Sequence, residues 1–179
     1  MIRQDINLIL VDLDGTLIKS NKANNRAYAK AINDLYPEFV IPKIERITEE
    51  HINTLFSDEL MAEKIIAKKA DYNALYLSDT LENKLLLKIL FTLSEKCEIH
   101  LVTQACRKRA IPLLIHHNLL SLFDNFIFCK GITNKYAHAT EEFKISPKHT
   151  LIFEDSATQI KLARCLGYPK NNLIKTNME

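Results

Sequence analysis

The run LILVDLDGTLIKS, residues 8–20, ends its apolar part in two aspartates one residue apart, Asp12 and Asp14, followed by Gly15 and Thr16. Neighbouring carboxylates repel, and burying them costs free energy unless a cation or a reaction employs them. Related groups follow other short apolar runs: Thr103 after EIHLV, Glu154 and Asp155 after TLIF, and Lys135 after a loop behind NFIFC. Carboxylates, a hydroxyl and an amine form a set that can hold a divalent cation and a phosphate together.

The elements that would have to position this set are legible from periodicity. β-rich runs cover 6–11, 98–102, 125–129, 150–153 and 172–175. The first and fourth are almost wholly apolar, as strands covered on both faces of a parallel sheet are. Helical spacing predicts helices over 105–119, 135–144 and 157–166, so strands and helices alternate as in a parallel α/β sheet with right-handed crossovers. In such sheets, sites form beyond the carboxyl ends of the strands.

The interval between the first two strands is too long for one crossover. Residues 21–76 read as a set of short helices, with capping patterns at Thr48 and Ser57 and turn signals at Pro37 and Pro42. A further helix, from about Thr80 to Lys96, returns the chain to the sheet. The expected architecture is a Rossmann-like three-layer α/β/α core, residues 1–18 and 79–179, with a small inserted α-helical cap at 19–78. The chain has 3 glycines, Gly15, Gly131 and Gly167, and the long glycine-free stretch between the first two suits a helical insertion.

Composition excludes several classes. At 179 residues, 47% hydrophobic and 26% charged, the chain can bury a sizeable core and does not resemble a disordered one. A formal net charge of +2 gives no reason to invoke nucleic acid or a membrane surface. The cysteines, Cys97, Cys106, Cys129 and Cys165, are scattered without a CxxC pair and read as small buried residues in a reducing compartment. No signal-peptide pattern or apolar stretch of transmembrane length is visible, so a soluble, cytoplasmic protein is expected. No glycine-rich nucleotide loop occurs. Oligomeric state is not legible.

DLDGTL, LVTQ, a lysine ahead of a helix, and IFEDS followed by QIKLARCLGYP resemble the four motifs of the haloacid dehalogenase superfamily. The phosphatase and β-phosphoglucomutase-like branches are the most similar. The resemblance covers the core and leaves the insertion uncovered. It implies Mg2+-dependent hydrolysis of a small phosphorylated metabolite, with Asp12 as the nucleophile that forms an aspartyl-phosphate. Asp14 would act as general acid and then base, its main-chain carbonyl serving as a metal ligand. The dehalogenase branch does not use a second aspartate in this way, which favours phosphoryl transfer.

By the same resemblance, Asp12, Asp14, Glu154 and Asp155 would form the cation site, and Gly15, Thr16, Thr103 and Gln104 would contact the substrate. Thr103 could instead be a plain helix cap, and Asp155 or Ser156 could cap the following helix. Many family members carry a further aspartate where this chain has Gln159. The common Lys-Pro pair is also absent, leaving Lys135 and Lys130 as competing catalytic lysines. Lys135 sits where a cation opposes the helix dipole, a misfit that suggests work for it. Two other functions remain open: a phosphomutase, and a non-catalytic regulator that binds a phosphometabolite.

Overall fold

Apolar residues on both faces of LILV make it a buried strand, β1 (Leu8–Val11), with Ile9, Leu10 and Val11 fully enclosed. A computed structural model describes residues 5–178. β1 is the middle of a five-stranded sheet whose other strands are β4 (Glu98–Thr103), β5 (Asn125–Phe128), β6 (Thr150–Glu154) and β7 (Leu173–Lys175). The order is β5-β4-β1-β6-β7, and every pairing is parallel. This is the predicted α/β class. Two short strands, β2 (Ile18–Lys19) and β3 (Leu81–Glu82), were not foreseen.

The chain divides into two compact units, one formed by 1–19 with 82–179 and the other by 20–81. In the first, α6 (Lys135–Glu142) and α7 (Ala157–Cys165) cover one face of the sheet. Tyr136, Ala139 and Ala163 from these helices pack with Leu10, Val102, Ile127 and Ile152. Strand periodicity turns Ile9 and Val11 to the opposite face. The same unit contains α4 (Lys84–Leu93), which buries Leu86, Leu87 and Leu90, and α5 (Arg107–His116), which buries Ala110, Leu113 and Leu114.

The helix expected from Thr80 begins later. Asn83 caps α4 by accepting from the Leu86 N–H at 3.1 Å, and its own side-chain amide donates to the Thr16 carbonyl at 3.0 Å. A cap tied to the β1 loop fixes the helix start more firmly than local propensity does.

The second unit holds α1 (Asn21–Leu35), α2 (Glu49–Leu55) and α3 (Glu59–Tyr72). Tyr28, Ile32, Ile52, Phe56 and Ile65 form their shared core. Thr48 caps α2 as the sequence pattern indicates, with His51 closing the capping box. α3 is capped one residue later than expected: Asp58, not Ser57, accepts from the N–H groups of Leu60 and Met61. Lys69 is 9% exposed, with its ammonium 4.9 Å from the centroid of the Tyr28 ring. No helix among the described residues is long and apolar enough to cross a membrane.

Candidate active site

The carboxyl ends of three neighbouring strands deliver the side chains. Asp12 leaves β1 directly, its N–H donating to the Phe153 carbonyl of β6 at 3.1 Å. The chain then folds back on itself: Leu17 and Ile18 both donate to the Leu13 carbonyl, and Gly15 donates to Ile18 at 2.9 Å. This reversal requires φ +86° at Gly15, a region that glycine enters without strain. A Cβ at Gly15 would also fall 2.3 Å from Asp155 Oδ2. Glycine is therefore demanded twice, by backbone conformation and by the closeness of a carboxylate.

Glu154 is the last residue of β6 and is 1% exposed. Its Oε1 accepts from the Ser156 N–H at 2.9 Å, and its Oε2 accepts from the Tyr136 hydroxyl at 2.7 Å. Lys135, the first residue of α6, is 2% exposed and reaches Glu154 Oε2 at 2.7 Å while also donating to Asp12 Oδ1. Asp155 accepts from the Thr16 hydroxyl at 3.3 Å. Oxygens of Asp12, Glu154 and Asp155 lie within 4.8 Å of one another. Among them stands the single ammonium of Lys135, so the carboxylates outnumber it.

The electrostatics follow from this imbalance. Burial pushes the Asp12 carboxyl up to about 6; Lys135 opposes the shift and Glu154 adds to it. Burial pulls the Lys135 ammonium downward, but Asp12 and Glu154 outweigh that and hold it above the usual lysine value. The Tyr136 hydroxyl is raised well above its usual value by burial and by Glu154. An enclosed, oxygen-rich, anionic cluster of this kind suits a hard divalent cation.

The other expected residues fall into place unevenly. Thr103 ends β4, is 1% exposed, and accepts from the Ala105 N–H at 3.0 Å. It does not cap α5, whose N-cap position is Cys106. Gln104 is exposed, and its amide donates to the Ile132 carbonyl at 2.9 Å. Thr16 is wholly buried, its hydroxyl committed to Asp155. Ser156, not Asp155, caps α7. Lys130 is exposed, whereas Lys135 is in the cluster. Gln159, noted above where the resemblance implied an aspartate, is largely buried and donates to the Thr133 carbonyl at 2.9 Å, bracing the loop before α6.

The profile of the haloacid dehalogenase-like hydrolases matches residues 9–169. The chain belongs to that family. No curated protein matches it in sequence. Among solved structures it is similar to CbbY from Rhodobacter sphaeroides in complex with phosphate, with TM-score 0.80 and 16% identity over 97% of this chain and 87% of that one. It is also similar to a predicted phosphoglycolate phosphatase from Haemophilus somnus, with TM-score 0.76 and 17% identity over 92% and 83% of the two chains. YfnB from Bacillus subtilis bound to magnesium gives TM-score 0.68 and 18% identity over 90% and 86%. At these identities the likeness shows the fold.

Two residues of this hydrolase's site escaped the sequence reading. Arg109 grips both oxygens of Asp14, Nη1 to Oδ2 and Nη2 to Oδ1, each at 2.5 Å. Tyr136 supplies the hydroxyl on Glu154. Arg109 had a signal: Arg107, Lys108 and Arg109 fill the first turn of α5 with no acidic residue among them, the same misfit with the helix dipole that draws attention to Lys135. Tyr136 had none, because an aromatic on the apolar face of a helix reads as core.

Proposed function

We propose that this protein is a divalent-cation-dependent phosphatase, using Mg2+, that hydrolyses a small phosphomonoester through an aspartyl-phosphate on Asp12. The observation that carries this reading is the enclosed Asp12–Lys135–Glu154 cluster beside Asp155. It combines a nucleophilic carboxylate, a fixed ammonium and surplus acidic oxygens at one end of the sheet. The phosphate bound by CbbY and the magnesium bound by YfnB, proteins of the same fold, agree with that chemistry.

In this reading Asp12 attacks phosphorus, the bond to the leaving-group oxygen breaks, and Asp14 gives that oxygen a proton. A water then attacks the same phosphorus with Asp14 taking its proton, which releases inorganic phosphate and regenerates Asp12. Lys135 keeps Asp12 oriented and compensates charge as the phosphoryl group arrives. Thr103, at the end of the adjacent strand, offers a hydroxyl to a phosphoryl oxygen. The carboxylates of Asp12, Glu154 and Asp155, with the main chain of Asp14, would hold the cation. When bound, it supplies the positive charge that lets an anionic nucleophile meet an anionic phosphoryl group.

The test is hydrolysis of p-nitrophenyl phosphate by the purified protein with Mg2+ and with EDTA. Release of nitrophenol with Mg2+ and its loss in EDTA are expected. Equal release under both conditions would overturn the metal requirement, and no release from folded protein with Mg2+ would overturn the phosphatase reading.

A further inference from the structure

The inserted unit carries a cavity of its own, of about 590 Å³, bounded by the end of α1, the turn that follows it, the end of α2 and the start of α3. That volume is of the size that receives a small molecule. Three aromatic rings line it. Phe56 is 5% exposed, and the centroids of Phe39 and Tyr36 lie 4.4 Å and 5.5 Å from that of its ring. Met61 adds a polarisable side chain to the same wall.

The charges at this cavity are of one sign. Glu38 and Asp58 stand among the described residues that line it, and no lysine, arginine or histidine does. The backbone adds to the imbalance. Both α1 and α2 end at the cavity, and neither has a basic residue in its last turn to answer the negative end of its dipole. The positive start of α3 opposes this, but it is already met: Asp58 Oδ1 accepts from the Leu60 N–H at 2.9 Å, and Glu59 lies in the first turn. Aromatic faces beside carboxylates and helix carboxyl ends are complementary to an organic cation. Ring faces attract an ammonium, and its apolar body leaves water on binding. An anion of the same size would meet repulsion there.

We propose that this cavity is a binding site for a small organic cation, an ammonium group carrying an aryl or short alkyl body. The body lies against Tyr36, Phe39 and Phe56, and the ammonium faces Glu38 and Asp58. All of the lining residues belong to 20–81, so binding there is independent of the phosphatase chemistry assigned to Asp12.

Three probes of similar size and different charge test it on the full chain: phenethylammonium, phenethyl alcohol and phenylacetate. Backbone amide shifts of isotope-labelled protein are followed by NMR during each titration. Phenethylammonium should give saturable shifts centred on residues 35–39 and 55–61, with a Kd of about 1 mM or below. The alcohol should bind the same amides at least about fivefold more weakly, and phenylacetate at least about tenfold more weakly. Glu38→Gln combined with Asp58→Asn should erase the preference of the ammonium over the alcohol. Asparagine caps a helix as well as aspartate does, and Glu38 is exposed, so the fold should survive. Glu38→Gln alone should reduce the preference part-way, which decides the matter should the double variant not fold. No saturable shift with phenethylammonium, equal affinity for the three probes, or a preference unchanged in the folded variants would overturn the proposal. So would shifts of the same amides that grow with protein concentration without any probe, which would assign the cavity to a second copy of the chain.

Discussion

Lys135 and Asp12 are 123 positions apart in the chain and share a buried hydrogen bond at the end of the sheet. The same ammonium reaches Glu154 at 2.7 Å, so one cation from α6 holds together carboxylates from two adjacent strands. The arrangement compensates charge and leaves a net anionic cluster, which is the condition a metal-dependent phosphoryl-transfer site needs.

Replacing that cation exposes what it holds. Lys135→Met leaves Asp12 and Glu154 buried without their compensating charge, and removing one partner of a buried pair costs about 3–5 kcal/mol. Urea unfolding in EDTA should show a loss of that order, with part of it recovered on adding Mg2+. A variant as stable as the wild type in EDTA would show that the pair is not holding the strand ends.

Gly15→Ala should separate metal binding from folding. The new methyl must sit in a left-handed backbone conformation and displace Asp155 Oδ2, which lies 2.3 Å from its position. A stability cost of about 1–2 kcal/mol is expected from the backbone alone. The displacement of Asp155 should raise the Mg2+ concentration needed for half-maximal activity by about tenfold or more. An unchanged Mg2+ requirement would exclude Asp155 from the cation site.

The raised Asp12 carboxyl makes a signed prediction. Its folded value, about 6, lies above the ordinary 3.8. The folded state therefore holds a proton that the unfolded chain has given up across this interval, and the contribution to stability is lost as pH rises from about 4 through about 6. In EDTA, unfolding midpoints of the wild type should fall relative to Asp12→Asn across that window, and Mg2+, by favouring the carboxylate, should flatten the difference. A gap that stays constant or moves the other way contradicts the assignment.

Tyr136→Phe isolates the hydroxyl on Glu154. Removing one donor from a buried carboxylate oxygen while Lys135 remains should cost about 1–3 kcal/mol, read from chemical denaturation. Near-zero loss would mean that Lys135 alone satisfies Glu154.

Much of this was legible before the structure. β1 and β6 are apolar on both faces, so strands ending in Asp12 and in Glu154 were the expected reading of LILVD and TLIFED, and the parallel character of the sheet, though not its strand order, followed from the alternation. Lys135 was marked by its conflict with the helix dipole. Arg109 carried the same mark, but the partner that explains it, Asp14, is 95 residues away, and no local pattern joins them. Tyr136 was hidden because its ring belongs to the core and only its hydroxyl is polar. In the inserted segment the misreadings are short-range. Ser57 and Asp58 are both good caps, and propensity cannot choose between neighbours. The contact of the Lys69 ammonium with the Tyr28 ring was hidden too, because helical spacing does not reveal which ring lies beneath a lysine.

The most direct test of the central claim is to trap the phosphoryl group on Asp12. The wild-type protein is mixed with p-nitrophenyl phosphate and Mg2+, quenched in acid within the first turnovers, and reduced with borohydride, which converts an acyl phosphate to the alcohol. Peptide mass spectrometry should find homoserine in place of Asp12 in the peptide containing DLDGTL, absent when EDTA is present and absent in Asp12→Asn, which should not turn over. Steady hydrolysis with Asp12 unmodified, or turnover by Asp12→Asn at the wild-type rate, would contradict the account.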